Sequence, residues 1–386
     1  VGIKVIDNTT LELKLAYQNP LMLDHLSDPI FFPAKPEVVG AHPRDWTTSP
    51  DTILCNGPFY LTEWKHNAEM TLVKNPHYWD AENVKIDKVR VVMITDPNTA
   101  LAAFKGGKID FTKRLPSMQI PVLLKSGQAK TVNTLGVSFS VFNVTQPPFH
   151  NPLVRRAFAL AVDRQGIVDK VTMAGQAPAN AYIPYGLPGP KDGKDFRSAG
   201  KSYFSNRAQP EEARKLLAEA GYPNGLNFAD YGIQMDVLGG TYMEKAAQVM
   251  QQNFADVGIT IELRNTSTPD EDAESGNFAL MTQTLSYRAD FSYNVCHYGS
   301  VGIGGNNFCQ MKDAWVDEMF AKAESEQDEE VRKDIYRELI AYLVDYCPSI
   351  PLFHHELVYV WNSQLNATVH DSSVHPYYCY EWSWKN

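Results

Sequence analysis

The chain has 386 residues, of which 44% are hydrophobic and 21% charged, and its formal net charge at pH 7 is −10. Such a length allows two or three domains with a large buried core, and such a composition is ordinary for a globular protein. The acidic balance and the lack of a Lys/Arg run argue against a nucleic-acid-binding protein, and no apolar stretch approaches the roughly 18 residues that cross a bilayer.

The chain begins inside a strand pattern. Ile3 and Val5 precede a turn at residues 7–10, and Leu11 and Leu13 follow it, which predicts a β-hairpin. No signal peptide or lipobox cysteine comes first. We therefore expect the sequence to be an N-terminally truncated piece of a longer protein.

A second hairpin is predicted at residues 56–80, NGPFYLTEWKHNAEMTLVKNPHYWD. The opening Asn-Gly-Pro is a strong turn signal, two alternating strands flank a polar tip at residues 65–69, and a second turn with Tyr78 and Trp79 closes the segment. These residues predict aromatic packing and no chemistry.

The elements that follow alternate between strand and helix. Asp96 is a predicted N-cap for a short helix, and a long helix is predicted over residues 153–171. A strand at 233–238, a helix at 242–257 and a strand at 259–264 come later. This strand–helix–strand order predicts an α/β domain with a partly parallel sheet.

Asp290 is the leading candidate for a ligand contact. It comes just after an uncharged strand at residues 279–285, and ligands of open α/β sheets bind off the carboxyl ends of strands. A half-buried carboxylate there would bind a ligand ammonium through charge-assisted hydrogen bonds. The structural alternative is a loop aspartate that caps a turn or pairs with Arg288. The candidate ligand-binding residues of this segment are Ser286, Tyr287, Arg288, Asp290 and Phe291.

The sequence has no motif of a nucleotide-binding or catalytic site: no P-loop, no Gly-x-Ser-x-Gly elbow and no His-Glu-x-x-His helix. His354 and Glu356 form the best metal-like pair, since alternate residues of a strand share a face. A strand near a sheet edge explains them more simply. We expect no cofactor, no metal site and no enzymatic activity.

The five cysteines are an odd number, so at least one is unpaired within the chain. Cys296 and Cys309 flank a Gly-rich loop, HYGSVGIGGNNF. A disulfide would close this loop at modest entropic cost and would suit an oxidising compartment. The alternative, that these cysteines are free thiols, stays open.

The order of several phrases resembles the solute-binding proteins of peptide-importing ABC transporters, the oligopeptide- and dipeptide-binding family. The resemblance covers nearly all 386 residues. It rests, in chain order, on NGPFYLTEW, KNPHYWD, GGKIDF, FNVTQPPFHNPLVRRAFALAVDR, EEARKLLAEAG, SYRADF and CPSIPLF.

The resemblance implies roles for individual residues. In the family an acidic residue at the position of Asp290 holds the free α-amino group of the peptide, and an aromatic residue at that of Tyr287 lines the first side-chain pocket. Some dipeptide-binding members carry a disulfide where Cys296 and Cys309 lie. Those members also pair an Arg with the peptide carboxylate; here Lys245 is the substitute, without the bidentate fork of Arg. Longer peptides or another solute therefore stay open.

The fold implied by the resemblance is α/β and periplasmic-binding-protein-like, of type II and the peptide-binding cluster, with two lobes of mixed sheets. Residues 1–135 plus 356–386 would be the remainder of an incomplete first lobe. Residues 136–355 would be the complete second lobe, which carries Asp290.

The function implied is an extracytoplasmic receptor that captures oligopeptides or dipeptides and delivers them to the permease subunits of an ABC transporter. It would lie in the periplasm or at the bacterial cell surface as a lipoprotein, and the full-length protein is expected to be monomeric and to bind no nucleic acid. Two alternatives stay open. One is the same fold binding a nickel chelate, haem, an opine or an oligosaccharide, and the other is the solute-sensing domain of a transcription regulator.

Overall fold

The structure is a computed structural model that describes residues 2–16, 18–20, 22–26, 29–184, 203–239, 241–286, 291, 295–370 and 377–385. Residues 24, 285, 286, 295 and 296 are described by their backbone alone. The chain forms two compact units: a larger unit of Val1–Leu26 and Leu135–His355, and a smaller unit of Ser27–Thr134 and Glu356–Asn386. Residues 1–26 group with the larger unit, whereas the sequence prediction placed them with residues 27–135.

The described strands, in chain order, are β1 (Gly2–Val5), β2 (Leu11–Lys14), β3 (Phe59–Lys65), β4 (Glu69–Lys74), β5 (Lys88–Val92), β6 (Phe111–Thr112), β7 (Ala129–Phe142), β8 (Leu226–Asn227), β9 (Met235–Leu238), β10 (Ile259–Thr260), β11 (Leu263–Thr266), β12 (Leu280–Ser286), β13 (Ser349–Trp361), β14 (Leu365–Asn366) and β15 (Ser383–Trp384). The described α-helices are α1 (Met22–His25), α2 (Pro36–Ala41), α3 (Pro97–Lys105), α4 (Ile120–Lys125), α5 (Pro152–Ala161), α6 (Arg164–Ile167), α7 (Pro210–Glu219), α8 (Tyr242–Ala255), α9 (Pro269–Ser275), α10 (Val295–Tyr298), α11 (Ala314–Ser325) and α12 (Glu329–Tyr346).

A mixed sheet forms the centre of the larger unit. Its strands have the order β11-β9-β12-β7-β13-β6. The smaller unit includes β6, the first residues of β7 (129–134) and the last residues of β13 (356–361). Strand β9 pairs in parallel with β11 and β12, and β12 pairs antiparallel with β7. The predicted α/β class with a partly parallel sheet is confirmed.

Aromatic rings connect this sheet to its helices. Phe158 on α5 lies 4.8 Å from Phe254 on α8 and 5.3 Å from Phe149, measured between ring centroids. Phe142, at the end of β7, lies 4.7 Å from Phe149. All four rings are fully buried, so their apolar surface is removed from water and stabilises the unit.

The long helix predicted over residues 153–171 is interrupted, so that prediction is wrong in this detail. Helix α5 ends at Ala161, and Val162 has an extended backbone with ψ of 123°. The Asp163 side chain then accepts a hydrogen bond from Gly166 N at 3.1 Å, which makes it the N-cap of α6. An aspartate satisfies free N–H groups at a helix start, so it favours a new helix over continuation.

The smaller unit contains the predicted hairpin of residues 56–80. Strands β3, β4 and β5 form an antiparallel sheet in that order, with Asn67 at the hairpin tip at a φ of 60°. Asp96 caps α3 as predicted, because its carboxylate accepts a 2.7 Å hydrogen bond from Thr99 N. Among the described residues, no helix has the length and apolarity needed to cross a membrane.

Candidate functional site

One edge of the larger unit's sheet collects the ends of three parallel strands. Because β11, β9 and β12 run in the same direction, Thr266, Leu238 and Ser286 end them at the same edge. Open α/β sheets bind ligands beyond this carboxyl edge. This edge is therefore the candidate site, and the predicted ligand-binding segment begins there.

Strand β12 is held firmly up to that edge. Leu280, Met281 and Thr282 are buried, and the strand pairs with β7 along its whole length, ending with Ser286 opposite Gly136. The backbone of Ser286 is thus fixed by its partner strand. The Ser286 side chain lies outside the described residues, as do the predicted ligand residues Tyr287, Arg288 and Asp290, and their roles stay predictions.

Phe291 anchors the far end of the predicted segment. Its ring is 2% exposed and lies 6.3 Å from Phe320 on α11 and 5.5 Å from Tyr336 on α12, between ring centroids. Phe291 therefore packs in the core of the larger unit. The described contacts give its ring a packing role and do not test a ligand contact. The predicted ligand contact of Phe291 stays a prediction.

Helix α8 begins at the same edge, with three residues between it and β9. The Thr241 hydroxyl donates to the carbonyl of Leu238 at 2.7 Å and accepts from Glu244 N at 3.4 Å, so it joins the strand end to the helix start. The helix buries one stripe of side chains, Met243, Ala246, Ala247, Met250 and Phe254.

Lys245 lies on the exposed face of α8, near its start. The start of its helix and the end of β12 lie at one sheet edge. The proposed contact of Lys245 with a ligand carboxylate stays a prediction.

Tyr242 is a candidate that the sequence analysis missed. It is the first residue of α8, is 37% exposed, and lies 6.1 Å from Phe353 and 6.5 Å from His355 of β13, between ring centroids. The sequence signal that could have identified Tyr242 was an aromatic residue at the start of a predicted helix, just after a strand and a glycine pair. Its ring offers a stacking surface at the candidate edge.

The predicted Cys296–Cys309 disulfide also falls partly outside the described residues, because the Cys296 side chain is among those left out. Cys309 is a buried free thiol whose Sγ donates to Asn307 Oδ1 at 3.1 Å. Burial raises the pKa of this thiol to about 12, which suppresses the thiolate needed for exchange. The pairing stays a prediction.

His354, of the metal-like pair with Glu356, is buried in β13. In the described ranges, no three His, Cys, Asp or Glu side chains come together in a way that would hold a metal ion.

Two relatives with assigned names are similar to most of the chain. The dipeptide-binding protein DppE of Bacillus subtilis is 30% identical over 397 aligned positions, which cover 100% of this chain and 70% of that protein. The oligopeptide-binding protein OppA of the same organism is 25% identical, with coverage of 96% of this chain and 68% of that protein.

Solved structures share the fold. An oligopeptide ABC transporter substrate-binding domain from Bacillus anthracis superposes with a TM-score of 0.84 at 22% identity, covering 100% of this chain and 76% of that one. This likeness confirms the predicted periplasmic peptide-binding-protein fold. The model of the bacterial extracellular solute-binding proteins, family 5 Middle, matches residues 1–300, and the chain therefore belongs to that family.

Proposed function

We propose that this chain captures short peptides outside the cytoplasm and delivers them to the permease of an ABC importer. The observation that carries the proposal is family membership together with the sheet edge at which β9, β12 and the start of α8 meet. The names of the relatives, dipeptide-binding and oligopeptide-binding proteins, favour peptides as the solute.

In this proposal each end of the peptide has its own partner. Asp290 accepts charge-assisted hydrogen bonds from the terminal ammonium, and Tyr287 lines the first side-chain pocket. Lys245 offers a point charge to the terminal carboxylate. We assign residues 1–135 plus 356–386 to one lobe and 136–355 to the other as part of the same proposal.

The receptor performs binding without catalysis in this proposal. Family membership places it outside the cytoplasm. We propose the periplasm, or a lipid-anchored position at the cell surface, as its compartment, and a monomer as its full-length state. The family's extracellular location favours a transport receptor over the sensing domain of a transcription regulator.

Calorimetry of the full-length protein tests the ammonium contact. A peptide found to bind is compared with its N-acetylated form, and wild type is compared with Asp290→Asn. Losing a buried charge-assisted hydrogen bond costs about 2 kcal/mol or more, so we expect affinity to fall about thirtyfold or more in both comparisons. Asp230→Asn, at an exposed aspartate of the same unit, is the matched control and should leave affinity unchanged.

The outcomes separate the residue from the function. Asp290→Asn affinity within about twofold of wild type would refute the ammonium contact and leave peptide binding intact. Failure of any short peptide to bind wild type would refute the function itself. A nickel chelate, haem, opine or oligosaccharide released from freshly purified protein in native mass spectrometry would then replace the peptide, an outcome that the lack of an Arg on α8 leaves room for.

A further inference from the structure

The first residue of α8, Tyr242, stands at the candidate sheet edge on a firmly held backbone. The residue before it, Thr241, has a hydroxyl that donates to the carbonyl of Leu238 at the end of β9 and accepts from Glu244 N. The chain is therefore tied on both sides of Tyr242, to the strand end and to the first turn of the helix. A side chain on such a backbone keeps a defined position at the edge.

The Tyr242 ring lies on the flank of α8 that faces β13. Residues four and seven positions further along a helix lie on the same side, so Tyr242 shares this flank with the buried Ala246 and the half-buried Val249. Its ring centroid lies 6.1 Å from that of Phe353, which is 1% exposed, and 6.5 Å from that of His355. All of these residues belong to the larger unit, so contacts within that unit orient the ring.

Part of the ring is nevertheless in contact with solvent, since Tyr242 is 37% exposed. The exposed part lies at the carboxyl edge of the parallel strands, where open α/β sheets bind their ligands. Covering it with an apolar group of a ligand would remove ring surface from water, which is favourable at about 25 cal/mol per Å².

The proposed orientation of the peptide puts its last residue beside this ring. In that arrangement Asp290 holds the terminal ammonium and Lys245 the terminal carboxylate. Residues three apart are neighbours on a helix surface, so Tyr242 and Lys245 are adjacent at the start of α8. The side chain nearest the carboxylate is therefore the one that meets the Tyr242 ring.

We propose that Tyr242 determines specificity for the C-terminal residue of the peptide, where its ring selects a large apolar side chain and an aromatic one best. The inference rests on the proposed peptide-binding function and adds the class of peptide. Paired aromatic rings gain free energy beyond the area that they bury. Phe353 and Ala246, beside the ring, carry no polar side-chain group that would pair with a charged residue of the peptide.

Calorimetry of the full-length protein with Ala-Ala-Ala, Ala-Ala-Phe and Phe-Ala-Ala tests the proposal. Wild type should bind Ala-Ala-Phe about tenfold more tightly than Ala-Ala-Ala, and Tyr242→Ala should lower this preference about threefold or more. Tyr242→Phe keeps the ring and should keep the preference. Because peptides are compared within each variant, a general loss of stability or affinity cancels.

Two controls separate a specific contact from a general effect. Tyr231→Ala removes a tyrosine that is also 37% exposed but precedes β9, away from the carboxyl edge, and it should leave the preference unchanged. The affinity of Phe-Ala-Ala relative to Ala-Ala-Ala should be equal in wild type and Tyr242→Ala, since its ring is at the other end of the peptide.

The outcomes distinguish the specificity residue from the function. An unchanged preference for Ala-Ala-Phe in Tyr242→Ala would overturn the proposal and leave peptide binding intact. A fall of the same size for Phe-Ala-Ala, or tighter binding of Ala-Ala-Lys than of Ala-Ala-Phe by wild type, would also overturn it. Failure of all four peptides to bind wild type would refute the peptide-binding function on which the inference rests.

Discussion

At the scale of single residues, His297 shows how burial sets a protonation state. It is 7% exposed on α10, and its Nδ1 lies 3.2 Å from the carbonyl of Asn306. Burial disfavours the imidazolium and lowers the pKa of His297 to about 4, despite the opposing effect of that carbonyl. The folded protein therefore holds a neutral imidazole throughout the neutral and mildly acidic range.

This depressed pKa predicts acid destabilisation of the fold. The unfolded chain binds a proton near pH 6.5, whereas the folded chain does so only near pH 4, so stability falls as the pH drops through this window. The contribution of His297 amounts to about 3 kcal/mol between pH 7 and pH 4. Urea unfolding of the wild type and of His297→Gln, each at pH 7 and pH 4, measures how much unfolding free energy each protein loses on acidification. The wild-type loss should exceed that of the variant by the contribution of His297.

The exposed His77 provides the control, and His77→Gln should keep the wild-type pH dependence. An NMR titration in which the His297 ring gains its proton above pH 6 in the folded state would contradict the assignment.

At the scale of elements, Arg155 connects two helices of the larger unit. It is 2% exposed on α5, and its Nε donates to the carbonyls of Tyr346 and Cys347, both at 3.1 Å, at the C-terminal end of α12. Its Nη1 donates to the carbonyl of Phe149 at 2.6 Å. The last carbonyls of a helix lack partners within it, so a buried guanidinium that supplies them fixes the end of α12 against α5.

Arg155→Met should therefore destabilise the larger unit strongly. The buried carbonyls of Phe149 and Cys347 and the half-buried carbonyl of Tyr346 lose this donor. Each unsatisfied buried group costs about 1–3 kcal/mol, so we expect a loss of about 3 kcal/mol or more. Lys215→Met on α7 is the control, because Lys215 is 75% exposed and its ion pair with Glu219, at 4.0 Å, lies on the surface. Such surface pairs contribute about 0–1 kcal/mol. Equal losses in the two variants, measured by chemical denaturation, would refute the capping role.

At the scale of the whole molecule, the two compact units differ in their cores. The larger unit holds one continuous buried cluster that extends from Val137 to Phe353. A cluster in the smaller unit comprises Ile86, Leu365 and Trp382. Because buried apolar area supplies most of the stabilising free energy, units with different cores need not open at the same denaturant concentration.

We expect the smaller unit to open first. Hydrogen exchange measured by mass spectrometry in increasing urea should release the amides of β3, β4 and β5 before those of β7, β9 and β12 in the larger unit. The test uses the full-length protein. Release of both sets at one urea concentration would show a single cooperative unit and contradict the expectation.

The candidate site was only partly predictable. The end of β12 at a carboxyl sheet edge was predictable, because strand ends and their following loops are local features of the sequence, whereas the role of Asp290 there stays a prediction. The packing of Phe291 against Phe320 and Tyr336 was not predictable, since it depends on two helices that come later in the chain. The exposed ring of Tyr242 at the same edge was missed for a similar reason.

Local signals were sufficient for the hairpin of residues 56–80, for the Asp96 cap of α3 and for the alternation of strands and helices, because turn, cap and periodicity involve neighbours in the chain. Tertiary structure alone decided the strand order β11-β9-β12-β7-β13-β6 and the burial of Arg155 beneath the end of α12. Those outcomes join residues far apart in sequence, such as Ser138 and Thr284, whose hydroxyls lie 3.2 Å apart. Only packing of the complete chain selects such partners, since each strand has several others that satisfy its local preferences equally well.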